Sequence, residues 1–272
     1  MVSRFPAQGT PRATLLIGAA MGVRRDYYAP FAQFLAGNGI HVLTFDYRGM
    51  GDSRKGSLAG FECDVTTWIE EDLGSMLVEA RKAGPGLPLL YVGHSLGGQV
   101  LGVTPGREAV RAALTVNAGS GYYRFNDRIW FRVRLLWYFL FPVLTPIFGY
   151  FPGKRLRMIG DLPKGVANQW RRWCLHPEYL LAEGDAWRAK MAGFGAPILR
   201  YSFTDDEMIT ERAVDSLHSF YGGSRIEKRH LSPTDIGEAR VGHFGFFYPR
   251  SRDKLWAPAL EWLLSAARRS NA

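Results

Sequence analysis

One stretch constrains the fold of this chain more than any other. An apolar run that begins at Leu89 leads directly into Gly93-x-Ser95-x-Gly97. The run predicts a buried strand, and the small residues after the serine predict a helix. A Gly-x-Ser-x-Gly spacing between a strand and a helix is typical of a nucleophile elbow, a sharp turn that lifts the serine hydroxyl clear of the sheet. Side chains at the glycine positions would collide with the neighbouring strand or helix. We therefore predict that Ser95 is a nucleophile and that the Leu96 N–H, at the helix start, donates to an oxyanion.

The five-residue pattern is a weak signal by itself. Short patterns of common residues recur by chance, so a glycine-rich loop with an incidental serine is the alternative interpretation. The predicted strand before Ser95, the predicted helix after it and the partner residues found further along the chain favour the elbow.

Predicted strands and helices alternate along most of the chain. This order predicts a mostly parallel central sheet with right-handed crossovers and helices on both faces. The alternation stops after residue 118 and resumes at residue 196. We therefore predict an α/β core formed by residues 1–118 and 196–272, with residues 119–195 inserted as a helical cap. The predicted strands lie at 13–17, 41–45, 89–93, 112–118, 197–203 and 225–231.

The predicted cap contains two intensely apolar runs, Ile129-Trp130-Phe131 and 135–141. Together they approach the length of about 20 residues that a membrane span needs. Arg132 and Arg134 argue against a span, because each would cost about 2.5 to 3.5 kcal/mol at the bilayer centre. We predict a cap whose apolar face lines a pocket, with contact to a membrane surface as the alternative. The arginines that motivate this alternative are Arg124, Arg128, Arg132, Arg134, Arg155, Arg157, Arg171 and Arg172.

The overall composition is that of a globular protein with a basic surface. Hydrophobic residues make up 47% and charged residues 22% of 272 residues, which leaves ample material for a core. The formal net charge is +9, but no zinc spacing, RNP-like run or lysine block accompanies it, so we predict no nucleic-acid partner. Two distant cysteines, Cys63 and Cys174, form no disulfide framework. With no secretory signal at residues 1–10, this predicts a cytoplasmic protein.

A nucleophilic serine needs a base to take its proton and an acid to orient that base. In a parallel sheet these partners follow later strands at the same edge, in the order serine, acid, histidine. Asp206 follows the predicted strand at 197–203 and precedes residues 208–210, an apolar pair and a helix-capping threonine. We predict Asp206 as the orienting acid, and Asp205 is the alternative.

The predicted base is His243, which lies between the last predicted strand and the last predicted helix with glycines on either side. A lone loop histidine is more often a surface residue, but this position favours the base. The other histidines fall within the elbow, strands, a helix or the cap; they are His41, His94, His176, His218 and His230. No group of His, Cys, Asp or Glu has metal-ligand spacing, so we predict neither a metal nor a cofactor.

A second oxyanion donor is expected in the loop after the first strong strand. That loop is 18–22, Gly-Ala-Ala-Met-Gly, whose small residues let the backbone approach a substrate oxygen. The Ala20 N–H is the first choice for this donor, and the Met21 N–H is the second.

Several of these segments together resemble the α/β-hydrolase superfamily, and the resemblance covers nearly the whole chain. They are the Gly-His-Ser-Leu-Gly-Gly elbow, the turn at 46–53, Asp205-Asp206 and Gly242-His243-Phe244-Gly245. More narrowly, the sequence is similar to a poorly characterised bacterial group of predicted α/β-hydrolases akin to the esterase, lysophospholipase and serine-aminopeptidase branch. The turn at 46–53 resembles the D-x-R-G-x-G-x-S turn of many members, and we interpret it as structural.

The resemblance implies a serine hydrolase that forms an acyl-Ser95 intermediate and then uses His243 to activate water. Its expected substrates are carboxylic esters or thioesters with an apolar acyl group. Acyl transfer by the same triad and non-catalytic binding of a ligand or membrane are the alternatives. Two features depart from the family pattern: Gly18-Ala19 replaces the usual His-Gly, and the N-terminal strands are truncated to one segment near residues 2–5. The resulting sheet edge suggests a homodimer as one way to cover it.

Overall fold

The computed structural model describes residues 1–126 and 130–269. Arg128 and Ile129, which belong to the predicted basic and apolar part of the cap, lie outside the described residues.

A seven-stranded sheet forms the centre of the fold, in the order β1-β3-β2-β4-β5-β8-β9. Every neighbouring pair is parallel except β1 with β3, which is antiparallel and places β1 at one edge. The predicted mostly parallel sheet and the single strand near residues 2–5 are thus confirmed. The strands of this sheet are β1 (Val2–Phe5), β2 (Ala13–Gly18), β3 (Ile40–Phe45), β4 (Leu89–His94), β5 (Val110–Val116), β8 (Ile198–Phe203) and β9 (Ile226–Leu231).

The inner strands β2, β4 and β8 are buried along their whole length, which explains why they appear in the sequence as continuous apolar runs. Helices cover both faces of the sheet. They are α1 (Ala29–Gly37), α2 (Val65–Thr67), α3 (Gly74–Lys82), α4 (Leu96–Val100), α9 (Glu211–His218) and α10 (Ala257–Arg269), and a wide turn at Trp68–Leu73 joins α2 to α3.

Residues 119–195 lie between β5 and β8 and are called the insertion below. A continuous helix, the insertion helix at 130–148, comprises α5 (Trp130–Leu135), a wide turn at Leu136–Leu140 and α6 (Phe141–Phe148). Two further helices follow, α7 (Lys164–Leu175) and α8 (Asp185–Ala192). The sequence analysis did not foresee a two-stranded antiparallel sheet of β6 (Tyr150–Phe151) and β7 (Leu162–Pro163).

The turn at 46–53 is held by its own side chains. The buried Asp46 carboxylate accepts from the Arg25 N–H at 2.7 Å and from the Asp52 N–H at 3.1 Å, and it also pairs with the Arg25 guanidinium. A Cβ on Gly51 would lie 2.5 Å from that carboxylate, so a side chain does not fit there. These contacts explain the pattern of the turn by packing, in agreement with a structural role.

Candidate active site

The elbow serine sits at the end of β4 in a strained backbone conformation. Ser95 has φ 48° and ψ −112°, a combination that residues with a side chain rarely adopt. A Cβ on Gly97 would lie 2.1 Å from the Gly18 carbonyl oxygen, and a Cβ on Gly93 would lie 2.5 Å from the Gly98 backbone. Both flanking glycines are therefore required for the strand and helix to approach this closely. The strain at Ser95 marks the turn as a functional candidate.

Asp206 and His243 form a buried pair at the same edge of the sheet. The His243 Nδ1 lies 2.8 Å from Asp206 Oδ2, and both side chains are 1% exposed. The other carboxylate oxygen, Oδ1, accepts from the Met208 N–H at 2.7 Å and the Ile209 N–H at 2.9 Å. The carboxylate is thus fixed on both oxygens, and it orients the imidazole.

Asp205, the alternative acid, contacts the backbone of the histidine loop instead of the imidazole. Its Oδ2 accepts from the Val241 N–H at 2.9 Å and the Gly242 N–H at 3.0 Å. The neighbouring Glu207 accepts from the His243 N–H at 3.3 Å. Three consecutive acids therefore accept hydrogen bonds from one loop, but only Asp206 contacts the imidazole ring of His243.

The carbonyl of His243 accepts two side-chain hydrogen bonds from the elbow side of the sheet. His94 Nε2 lies 3.0 Å from it, and Asn117 Nδ2 lies 2.8 Å from it. Burial, with a smaller contribution from the charge of His243, lowers the pKa of His94 well below its ordinary value. His94 is therefore neutral and donates from Nε2, which leaves its Nδ1 as an acceptor. The sequence analysis missed Asn117, whose one signal is its position directly after β5.

The hydroxyl of Tyr28 completes this arrangement and contacts one of the predicted oxyanion donors. It lies 2.9 Å from His94 Nδ1 and accepts from the Ala20 N–H at 2.9 Å. The Ala20 N–H was the first choice for the second oxyanion donor, but here it is already occupied. The Met21 N–H has no hydrogen-bond partner within the described residues. Leu96 is the first residue of α4, so its N–H also has no partner in the helix.

The structure brings Ser95 and His243 to the same edge without joining them by a hydrogen bond. The ring of His94, adjacent to Ser95, has its centroid 5.2 Å from that of His243. Within residues 1–126 and 130–269, the Ser95 hydroxyl makes no hydrogen bond to the imidazole. Such contacts are often long in ligand-free sites and shorten when substrate binds.

A known protein family matches most of this chain. The model of the alpha/beta hydrolase family matches residues 15–253. The chain belongs to the alpha/beta hydrolase family. No curated protein sequence matches this α/β-hydrolase.

Solved structures of similar fold include a lipase, a lipase-esterase related protein and a protein bound to ferulic acid. A soluble variant of monoglyceride lipase from Saccharomyces cerevisiae, bound to a substrate analogue, has a TM-score of 0.66 and 14% identity, covering 97% of this chain and 90% of its own. A lipase-esterase related protein from Clostridium acetobutylicum has a TM-score of 0.57 and 14% identity, covering 97% and 98%. Est1E from Butyrivibrio proteoclasticus, bound to ferulic acid, has a TM-score of 0.57 and 11% identity, covering 99% and 94%. At these identities the likeness shows the fold alone.

The insertion of this α/β-hydrolase packs directly on the elements of the site. The Tyr179 hydroxyl donates to Gln99 Oε1 at 2.8 Å, and Gln99 Nε2 donates to the Gly119 carbonyl at 2.9 Å, which ties the insertion to α4. A Cβ on Gly22 would lie 2.7 Å from the Gly160 nitrogen, so the insertion also touches the loop after β2. The insertion therefore contacts both the helix that follows Ser95 and the loop after β2.

Two other features could indicate a site, a surface cavity and a group of metal ligands. A surface cavity of about 900 Å³ is lined by 84–89 and Arg111, at the opposite end of β4. Because β4 is six residues long, that cavity lies about 20 Å from Ser95. Within the part of the chain that the structure describes, no three His, Cys, Asp or Glu side chains cluster as metal ligands.

Proposed function

We propose that this α/β-hydrolase is a serine hydrolase that cleaves carboxylic esters or thioesters of apolar acyl groups. The observation that carries the proposal is the buried Asp206–His243 pair, 2.8 Å apart, at the edge where the strained Ser95 emerges. A carboxylate that holds the Nδ1–H of an imidazole leaves Nε2 as the base. A serine presented at a helix N-terminus beside such a base has the parts that nucleophilic catalysis needs.

In the proposed reaction Ser95 Oγ attacks the substrate carbonyl carbon while its proton passes to His243 Nε2. Asp206 stabilises the imidazolium that forms. The bond to the leaving alcohol or thiol breaks, and His243 returns the proton to the leaving atom. Water then attacks the acyl-Ser95 carbonyl and gives a proton to His243. The bond between the acyl carbon and Ser95 Oγ breaks, His243 returns that proton to Ser95 Oγ, and the acid is released. This route requires the Ser95 hydroxyl to move into contact with Nε2 when substrate binds.

The Leu96 and Met21 N–H groups are the proposed oxyanion donors. Each carries no partner among the hydrogen bonds described above, and each belongs to one of the two loops that meet at the elbow. A pre-positioned donor of this kind typically contributes about 100- to 1,000-fold to the rate.

An apolar acyl group is supported by the chemistry of the insertion. Its aromatic side chains pack into a cluster in which Phe141 stacks on Phe151 at 3.9 Å and Trp137 meets Trp170 edge-on at 4.9 Å. This cluster adjoins the segments that contact Gln99 and Gly22. The monoglyceride lipase and the lipase-esterase related protein among the structural neighbours agree with ester chemistry.

Labelling with a fluorophosphonate probe tests the proposal directly. We expect the folded wild-type protein to be labelled and Ser95→Ala to be unlabelled, with hydrolysis of chromogenic esters reduced by about 10⁴-fold or more. Ser120→Ala is the matched control, because Ser120 is a buried serine at the start of the insertion. It should label as the wild type does. An unlabelled wild-type protein, or labelling that survives in Ser95→Ala, would contradict the proposal.

A series of chromogenic esters of increasing acyl length then defines the substrate. We expect turnover to rise from acetyl esters to longer chains. Repeating the reaction with a competing alcohol or amine separates hydrolysis from acyl transfer, because only transfer yields a new ester or amide.

A further inference from the structure

The insertion helix buries one stripe of side chains and leaves the opposite face uncovered. Trp137, Phe141 and Thr145 are buried at four-residue spacing. The rings of Trp137 and Phe141 pack on Trp170 of α7, with centroids 4.9 and 6.0 Å away. This stripe is the contact that fixes the helix to the rest of the insertion.

The uncovered side of the same helix is also apolar. Its exposed large residues, called the apolar face below, are Phe131, Leu135, Tyr138, Phe139, Val143 and Ile147. Phe131 at one end is 67% exposed and Ile147 at the other is 70% exposed, and about 24 Å of helix separates them. Soluble proteins rarely leave such a continuous apolar strip in water unless it meets a partner.

Positive charge borders the apolar face, and negative charge is missing from the same stretch of sequence. No Asp or Glu occurs between residues 128 and 160. The described part of that stretch holds five exposed cations: Arg132, Arg134, Lys154, Arg155 and Arg157. These five account for more than half of the formal net charge of +9. A surface that is apolar in its centre and cationic at its border, built from a stretch of sequence without acids, complements anionic lipid.

The helix lies along the protein and is not positioned to span a bilayer. Residues 131–148 are long and apolar enough for a span, with a mean hydropathy of 1.3 and 17% of the stretch buried. Burial of Trp137, Phe141 and Thr145 against the insertion removes one side of the helix from any lipid. The exposed Arg132 and Arg134 would also have to enter the hydrocarbon. Contact of one helix face with the membrane interface is consistent with both the buried stripe and the exposed arginines.

The same surface adjoins the candidate active site. The loop 153–160 carries Lys154, Arg155, Arg157 and the half-exposed Met158. Its last residue, Gly160, packs on Gly22 of the loop that holds the proposed oxyanion donor Met21. A bilayer that contacted this loop would lie beside the edge at which Ser95 emerges.

We propose that the apolar face docks on the surface of an anionic lipid bilayer. The six apolar side chains enter the interface between headgroups and acyl chains, and the five cations contact lipid phosphates. The absence of any acid over 33 residues and the presentation of the strip on one face of a single helix favour a lipid surface over a protein partner. The proposal does not depend on hydrolysis by Ser95.

Sedimentation with vesicles tests the apolar part. We expect the full-length protein to bind phosphatidylcholine vesicles that contain about 30% phosphatidylglycerol and to bind pure phosphatidylcholine at least 10-fold more weakly. The triple variant Phe131→Ser, Phe139→Ser, Ile147→Ser should reduce binding at least about 10-fold. Val78→Ser, which alters an exposed aliphatic residue of α3, is the matched control for Ile147→Ser and should bind as the wild type does.

Charge reversal tests the electrostatic part. We expect Arg155→Glu with Arg157→Glu to reduce binding to the anionic vesicles by about 10-fold or more, whereas Arg81→Glu with Lys82→Glu on α3 makes the same change in net charge with less than a 2-fold effect. Binding by the wild type should weaken in about 0.5 M salt.

The catalytically inactive Ser95→Ala variant should bind the vesicles as the wild type does, so the result is independent of the proposed chemistry. Lack of binding to anionic vesicles, or binding that the triple variant leaves unchanged, would overturn the proposal. A wild-type dimer in sedimentation velocity that the triple variant converts to monomer, without vesicle binding, would assign the face to a second copy of the chain instead.

Discussion

The candidate active edge of the sheet and the apolar face of the insertion helix place their side chains in opposite environments. At the edge, ionisable groups are removed from water: His94, Asp206 and His243 are all buried, and each has a hydrogen-bond partner within the chain. On the helix, apolar groups remain in water, with Phe131 and Ile147 about two-thirds exposed. Both arrangements are costly unless something compensates them.

The difference is where that compensation comes from. At the edge it comes from the chain itself, through residues far apart in sequence such as Tyr28, Asn117 and Asp206. On the apolar face the side chains stay largely exposed, although Tyr123 packs edge-on against Tyr138. The edge is therefore held by contacts within the chain, whereas we propose that the apolar face is covered by binding. Mutations at the edge should change activity and stability, and mutations on the face should change neither in solution.

The prediction with the largest expected effect tests which acid orients the imidazole of His243. Asp206→Asn should lower kcat for a chromogenic ester by about 10⁴-fold, because an amide cannot stabilise the imidazolium and favours the wrong tautomer of His243. Asp205→Asn is the matched control, since its amide oxygen can still accept from the Val241 and Gly242 N–H groups. We expect a loss of less than about 10-fold there. A larger loss in Asp205→Asn than in Asp206→Asn would exchange the two assignments.

The next prediction uses a pair of phenylalanines to compare the buried side of the insertion helix with its exposed side. Phe141 is fully buried and stacks on Phe151, whereas Phe139, two residues earlier, is 56% exposed. Phe141→Ala should lower the free energy of unfolding by about 3 to 5 kcal/mol, through lost burial and the cavity left behind. Phe139→Ala should change it by less than about 0.5 kcal/mol. Urea unfolding measures both, and equal losses would show that the apolar face is covered in solution.

Much of the edge could be predicted because its parts are marked locally. Ser95 is marked by two glycines that sterics require, and Asp206 and His243 by their positions after β8 and β9. Asp206 was preferred to Asp205 only on the residues that follow, 208–210, because adjacent residues share most sequence signals and differ mainly in side-chain direction. The Ala20 N–H, the first oxyanion choice, donates to Tyr28, and this hydrogen bond depends on the packing of α1, which no spacing encodes.

The insertion was harder to predict because the buried face and the exposed face of its helix are both largely apolar. Periodicity distinguishes a buried face from an exposed one only when the exposed face is polar. Trp137 and Phe139 are both aromatic in the sequence, yet one is 4% and the other 56% exposed. The β6–β7 sheet was missed because each strand has two residues, which is too short for an alternating pattern.

The prediction with the smallest expected effect compares two buried hydroxyls, one that forms hydrogen bonds and one that has no hydrogen-bond partner among the described residues. Tyr28→Phe removes the hydroxyl that Ala20 and His94 share, so two buried polar groups lose their partner. We expect the free energy of unfolding to fall by about 1 to 3 kcal/mol. Tyr47→Phe is the matched control, because the Tyr47 hydroxyl is buried and has no hydrogen-bond partner among the described residues. Its loss should leave stability unchanged or raise it by up to about 1 kcal/mol.

Ester turnover by the same pair tests whether the Tyr28 contacts position the base. Without the hydroxyl, His94 loses the bond that fixes its Nε2–H toward the His243 carbonyl, and the loop that carries the imidazole is held less firmly. A misplacement of this kind should lower kcat between about 10- and 100-fold with little change in KM, whereas Tyr47→Phe should keep wild-type kcat. A rise in kcat for Tyr28→Phe would contradict this role. It would show instead that Ala20, once released, donates its N–H to the oxyanion, so that the tyrosine restrains the edge rather than completing it.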